Sequence, residues 1–353
     1  MTILDEYQRD HGLYSDFTQK LDGLIRELLK QKGVRVHSIT SRAKDPGSLQ
    51  GKLNSANGKY SSLRQITDLA ALRIITYYND EVDAIAEIME QEFEIDSDNS
   101  VDKRKTLDPD RFGYLSLHYV GQLPAKRLEL TEYARFEGLK FEIQIRSILQ
   151  HTWAEIEHDM GYKSEHAVPK DIRRSFSRLA GLLELADIEF ARIREQLTEY
   201  EQAVPKQIDE KPAEVLIDQA SLKSFILNSA YVKELDIQIA ALAGVPVVYD
   251  ENFFGEMAHR LHYLGVKTIS DVVTLLHEHR DVLLRFVAQV FRHNRVEAVV
   301  IGSSLFQLSN VLIGKTGSRD HIRHYLLNTS NFVDRESIER LVHEILVYVE
   351  EAL

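Results

Sequence analysis

The chain contains no cysteine. That excludes disulfides, thiolate metal sites and a cysteine nucleophile, and it makes a cytoplasmic location the expectation. Proline is scarce, seven in 353 residues, and two of the seven lie in QAVPKQIDEKPAE, residues 202–214. No run of about 20 apolar residues is available to span a bilayer. The first residues, MTILDEYQRDHGLY, carry acids and lack the basic-then-apolar pattern of an export signal, so no membrane partner is expected. No period of roughly 20 to 50 residues repeats, which removes a solenoid. Positive charge is also short: the formal net charge of −12 argues against a surface coated in nucleic acid.

What remains is a composition of 44% apolar and 28% charged residues, long enough for two domains. Basic residues do cluster locally, at Lys103, Arg104 and Lys105 and at Lys170, Arg173, Arg174 and Arg178. In an acidic chain such clusters suit a small anionic ligand or a confined nucleic-acid contact. A solvated face suits the second cluster better.

In chain order, Leu4 to Lys32 has helical spacing with Gly33 as its stop. Val34 to Thr40 alternates like a strand, Asp45-Pro46-Gly47 marks a turn, and Ser48 can cap a short helix. A β-rich run extends from Arg73 to Tyr78, then an amphipathic helix through Val82, Ile85, Ile88 and Met89. Asp96 to Phe112 reads as a polar loop, and LSLHYVGQL as a strand. The order predicts an α/β domain with a small mixed sheet flanked by helices, over residues 1–201. Residues 202–214 read as a linker, and 215–353 as a mainly helical accessory or regulatory domain.

The stretch FEIQIRSILQHTWAEIEHDMGYK, Phe141 to Lys163, carries the strongest local pattern. Phe141, Ile143 and Ile145 alternate with Glu142, Gln144 and Arg146, as a strand with one buried face requires. The period then becomes helical, with His151, Glu155, His158 and Tyr162 on one face. Such a stretch is either one wall of an active site or an edge strand with a solvated face.

Three more polar clusters precede it. Arg42, Lys44, Ser48 and Lys52 surround a turn and a helix start, a spacing that suits a polyphosphate, with helix N–H groups helping. Asp68 is followed by Arg73. Gly113, Tyr114, Leu115, Ser116, Leu117 and His118 come after the basic loop. Each alone is a weak signal.

Taken together, TDLAALRII, GYLSLH and EIQIR…HTWAEIEH…YK resemble the synthetase domain of the RelA/SpoT-type alarmone synthetases over roughly Val34 to Lys163. The resemblance implies a nucleotidyltransferase-like fold that transfers pyrophosphate from ATP to the 3′-hydroxyl of GDP or GTP, releasing AMP. It implies Arg42 and Arg73 stacked about the adenine, a role that a planar guanidinium can fill and lysine cannot. Lys44, Ser48 and Lys52 would hold the ATP phosphates, and Asp68 a Mg²⁺ ion. Tyr114 would stack on the acceptor guanine, with His151 near the same base. Glu142 matches the catalytic glutamate, a general base or second metal contact. Gln144 and Arg146 would orient the site, and His118, His158, Tyr162 and Lys163 match family positions at which structural roles serve equally well.

Leu115 departs from the polar or basic residue that many members carry after the glycine-tyrosine pair, which puts acceptor recognition in doubt. Too few residues precede Val34 for the hydrolase domain of long members, so synthesis without hydrolysis is expected. Toxin-type relatives that pyrophosphorylate tRNA or adenine nucleotides are the alternative, and a non-catalytic nucleotide sensor is a more distant one. His151, Glu155 and His158 superficially resemble a zinc site, but the family match favours nucleotide contact and packing. SNVLIGKT, Ser309 to Thr316, imitates a phosphate-binding loop but lacks its first glycine and a preceding strand, so it reads as a helix end and turn. The C-terminal domain would serve a homo-oligomer or a regulatory protein partner.

Overall fold

The computed structural model describes residues 2–56, 58–106, 116–160, 169–330 and 334–353. Two compact units divide the chain, Met1–Glu195 and Gln196–Leu353.

The first unit is built on a six-stranded mixed sheet. Its strands are β1 (Ser38–Ala43), β2 (Ala70–Thr76), β3 (Glu94–Ile95), β4 (Val101–Asp102), β5 (Leu117–Gln122) and β6 (Phe141–Ser147). The order is β1-β2-β6-β5-β3, with β4 also on β5. Only β2 and β6 run parallel; the other pairs are antiparallel. Alternation gives the sheet two unlike faces. Ile39, Leu72, Ile74, Leu117, Phe141, Ile143 and Ile145 are all buried, in one core with α1 (Ile3–Gln31) and α3 (Glu81–Glu92). α1 presents Phe17, Leu21, Ile25 and Leu29 to this core, spaced for one helical face. Thr2 and Asp5 close its N-terminus in a capping box. Gly121 on β5 has a steric reason: a Cβ there would lie 3.0 Å from the Phe141 ring and 3.3 Å from the Glu94 carbonyl.

Several expected boundaries shift. The first strand begins at Ser38, not Val34. The alternation of Val34 and Val36 reflects packing against the core rather than pairing. The expected loop after Asp96 contains β4, where Val101 and Asp102 pair with His118 and Leu117. Residues 202–210 are not a linker. They continue the helix Lys170–Glu210, with Val204 fully buried and Pro205 accommodated inside. A proline costs a helix one N–H bond and a steric clash, which makes it a poor stop signal when a neighbouring side chain is anchored in a core.

The second unit holds helices Gln219–Asn228, Ala230–Ala243, Phe253–Tyr263, Ile269–His293, Ser303–Gly314, Arg319–Thr329 and Arg335–Ala352 around one apolar core. A parallel pair, β7 (Val247–Val248) and β8 (Val299–Val300), adds the only strands among its described residues. Gly302 has φ +92°, and a Cβ there would approach the Phe253 ring to 2.6 Å. Both facts require glycine. The Gly302 and Ser304 N–H groups donate to the buried Asp236 carboxylate, which closes the start of the helix Ser303–Gly314. SNVLIGKT continues that helix and ends in a turn, with Ser309 and Asn310 buried. Among the described residues, no helix is long and apolar enough to cross a membrane.

Candidate active site

The second face of the sheet is polar, and strand register arranges it in rows. Arg42 lies opposite Ala71, and Ala71 opposite Glu142. In the next row Thr40, Arg73, Gln144 and His118 stand side by side across four strands. Residues paired across a sheet point to the same face, so segments far apart in sequence converge here.

At one end Asp68, just before β2, meets two lysines. Lys44 Nζ donates to its Oδ2 at 2.7 Å and Lys52 Nζ to its Oδ1 at 2.8 Å. Lys44 follows β1 directly, and its carbonyl accepts from the hydroxyl of Tyr7 on α1 at 2.5 Å. Lys52 comes from α2 (Pro46–Ser55). Burial alone would raise the Asp68 carboxyl, but the hydrogen bonds and charges of both lysines outweigh it and hold it below the usual carboxylate range. Ser48 sits exposed in the first turn of α2, and its N–H donates to Asp45 Oδ1 at 2.9 Å. That N–H is thus already engaged by the helix cap.

Glu142 accepts from Gln144 Nε2 at 3.0 Å and lies 3.2 Å from His118 Nδ1. Burial pushes its carboxyl up and the charge of Asp68 adds to that. The His118 and Gln144 contacts reverse the balance and leave it lowered. Glu142 also acts electrostatically on Lys52, so the two carboxylates share one environment. They form a pair of hard oxygen donors, the kind a divalent cation takes together with substrate phosphates.

At the other end Glu155 gathers the cations. Its Oε1 takes Arg73 Nη1 at 2.8 Å and Arg146 Nη2 at 3.1 Å, with His151 Nδ1 at 3.6 Å. Arg146 is almost fully buried, and its Nη2 lies 2.7 Å from His151 Nδ1. Burial and the adjacent Arg146 charge lower the His151 pKa. Arg42, Arg73, Lys103, His118, Gln144 and Arg146 line a cleft of about 700 Å³. Arg104 faces elsewhere, bonded to Asp102 and Asp83, which dissolves the basic triplet as a unit.

All of Arg42, Lys44, Ser48, Lys52, Asp68, Arg73, His118, Glu142, Gln144, Arg146 and His151 fall on this side of the first unit's sheet or its adjoining helices. Tyr114, Leu115, Tyr162 and Lys163 lie outside the described residues. The part played by Glu155 goes beyond the sequence pattern. Its one sequence signal is its position four residues after His151, which puts both on one helix face. Tyr7, which fixes Lys44, gives no signal, because the contact spans 37 residues.

A mixed sheet with two carboxylates, two lysines and several arginines on or beside one face makes an anion-handling α/β domain, suited to a polyphosphate. Residues 41–167 match the family model described as a region found in RelA / SpoT proteins. GTP pyrophosphokinase YwaC of Bacillus subtilis (strain 168) is 24% identical over 205 residues, covering 56% of this chain and 94% of that protein. GTP pyrophosphokinase YjbM of the same organism is 26% identical over 194 residues, covering 51% and 87%. Among solved structures, small alarmone synthetase 1 from Bacillus subtilis bound to its product pppGpp matches at 22% identity and a TM-score of 0.46, covering 55% of this chain and 99% of that one.

Proposed function

We propose that the first unit transfers pyrophosphate from ATP to the 3′-hydroxyl of GDP or GTP, releasing AMP. One observation carries this reading. Asp68 and Glu142, both held ionised, stand with Lys44 and Lys52 at one end of a polar face that carries Arg42 and Arg73 beyond them. The family match and the activity in the names of YwaC and YjbM support it.

Pyrophosphoryl transfer asks for in-line positioning and neutralised phosphate charge more than for covalent help. Arg42 and Arg73 would clasp a planar base, with Arg73 leaving Glu155 to do so. Lys44 and Lys52 neutralise phosphate oxygens when a nucleotide draws them from Asp68. The donor set fits Mg²⁺, with Asp68 and Glu142 as the residues that would hold it. Bound there, the ion would neutralise charge on the transferred group.

Glu142 is a weak proton sink, because its hydrogen bonds favour the ionised form. Its better supported role is to accept the hydrogen bond of the attacking 3′-hydroxyl and orient it. His118, whose Nδ1 lies 3.2 Å from the same carboxylate, helps keep it ionised. Gln144 holds the carboxylate in place. Tyr114 would stack on the acceptor base.

The test supplies Mg-ATP labelled at the γ-phosphate with GDP, GTP, an adenine nucleotide or tRNA in separate reactions. Label in the guanine nucleotide, with stoichiometric AMP, is the expected outcome. Label only in tRNA or only in the adenine nucleotide would overturn it.

A further inference from the structure

Two cavities in the C-terminal unit, of about 280 Å³ and 240 Å³, share Arg260, Phe306 and Gln307 in their walls. Arg260 belongs to the helix Phe253–Tyr263 and is only 6% exposed. Its Nη1 donates to the Tyr325 hydroxyl at 2.9 Å and its Nη2 to Ser330 Oγ at 2.8 Å. The guanidinium lies 4.7 Å from the centre of the Phe306 ring and 5.5 Å from that of Tyr325. The Tyr325 hydroxyl donates onward to Ser309, inside the stretch that imitates a phosphate-binding loop.

Every partner that the described residues give this cation is neutral. A guanidinium stays ionised under all ordinary conditions. Burying one is unfavourable unless an opposite charge and hydrogen bonds offset the lost water. Hydroxyls and ring faces supply part of that compensation, but no negative charge. One anionic group would therefore complete the balance. The larger cavity continues from Arg260 along Phe253, Met257, Phe291 and Val299, so the space beyond the guanidinium is apolar. Glu256 lines the same cavity and Glu344 the other, which disfavours a multiply charged phosphate.

We infer that Arg260 and the larger cavity form a binding site for a monocarboxylate with an apolar body. The carboxylate caps the guanidinium, and an alkyl or aryl body fills the space beside Phe253 and Phe291. The volume is near the lower limit for small-molecule sites, which favours a short body over a long lipid chain. The pairing is charge-assisted, so it discriminates strongly between an acid and the corresponding alcohol.

Isothermal titration of the full chain with octanoate, 3-phenylpropanoate, octan-1-ol, acetate and inorganic phosphate tests this. One of the two longer acids should saturate a single site at least tenfold more tightly than octan-1-ol and acetate. Which of the two wins assigns the body as alkyl or aryl. Arg260→Met should weaken that acid at least tenfold and leave octan-1-ol unchanged. Ala298→Phe, on the wall of the larger cavity, should abolish binding while far-UV circular dichroism stays native. Equal binding of acid and alcohol by the unaltered chain would overturn the inference without any variant. So would displacement of the acid by phosphate, or undiminished binding to folded Ala298→Phe.

Discussion

Asp68 and Arg260 are both sequestered charges, and they are treated in opposite ways. Asp68 is matched twice over, one lysine on each carboxylate oxygen, at the edge of a polar cleft. Among the described residues, Arg260 is bonded in its helical core to hydroxyls and covered by rings. An over-matched anion holds its cations ready for another partner, since either lysine can transfer to an arriving phosphate while the other keeps Asp68 ionised. An under-matched cation is itself what an incoming anion completes. Excess and deficit of counter-charge thus mark two kinds of site, one for exchange and one for addition.

Measurements that break or sharpen this contrast can be ranked by expected size. Glu142→Gln keeps the shape and removes the charge, and should lower the pyrophosphate transfer rate by about 10²–10⁴-fold while far-UV circular dichroism stays native. Retained turnover in the labelled-ATP assay would remove Glu142 from the chemistry. Arg73→Lys keeps the charge but not the plane. It should raise the KM for ATP by about tenfold and leave the acceptor KM alone, because lysine cannot stack on a base.

Asp68→Asn leaves Lys44 and Lys52 facing each other without their shared anion. Breaking a fully buried pair costs about 3–5 kcal/mol, and partial exposure of Lys52 reduces that here to about 2 kcal/mol. Trp153, the single tryptophan, lies in the first unit and reports its urea unfolding by fluorescence. An unchanged midpoint would mean that the triad contributes nothing to the fold.

Acid should erase the same contribution. Asp68 has a folded pKa below its ordinary value of 3.8, so its stabilisation is complete above that value and is lost as pH falls through the folded one. The unaltered chain should therefore lose stability below about pH 4 more steeply than Asp68→Asn. Parallel pH profiles would contradict the assigned shift. The smallest effect belongs to Arg260→Met without ligand. Replacing a buried cation whose described partners are all neutral by an apolar side chain should move stability by no more than about 1 kcal/mol, or raise it. A loss as large as that for Asp68→Asn, read by far-UV circular dichroism, would mean that Arg260 is adequately matched after all.

Much of this site is legible in the sequence because a strand and a helix write their periods directly. Phe141 to Ser147 announces its two faces by simple alternation, and the structure keeps that division. Asp68, Arg73 and Glu142 become legible through the resemblance of the motifs that hold them, since each alone is a weak signal. What pairs with what is another matter. The Lys44–Asp68 contact spans 24 residues and Arg73–Glu155 spans 82, and no local pattern encodes a separation of that kind. Linker chemistry also misleads at residues 202–210, where prolines and charges suggest a break and burial of Val204 sustains a helix. Arg260 gives no warning at all. A lone arginine on an amphipathic helix reads as surface, and only three-dimensional packing reveals that it is enclosed.

The parallel pairing of β2 with β6 has a consequence for how this chain tolerates change. Ala71 faces Glu142 and Leu72 faces Ile143, so polar and apolar rows alternate across both strands. Deleting or inserting one residue inside β6 would turn every later side chain over at once, sending a carboxylate into the core and an isoleucine into the cleft. Length variation can then survive only in the connections, such as the segment from Pro124 to Lys140, and not within the strands. Foldability and catalysis are locked to the same parity, so the core purges frameshifted variants before the active site is ever tested.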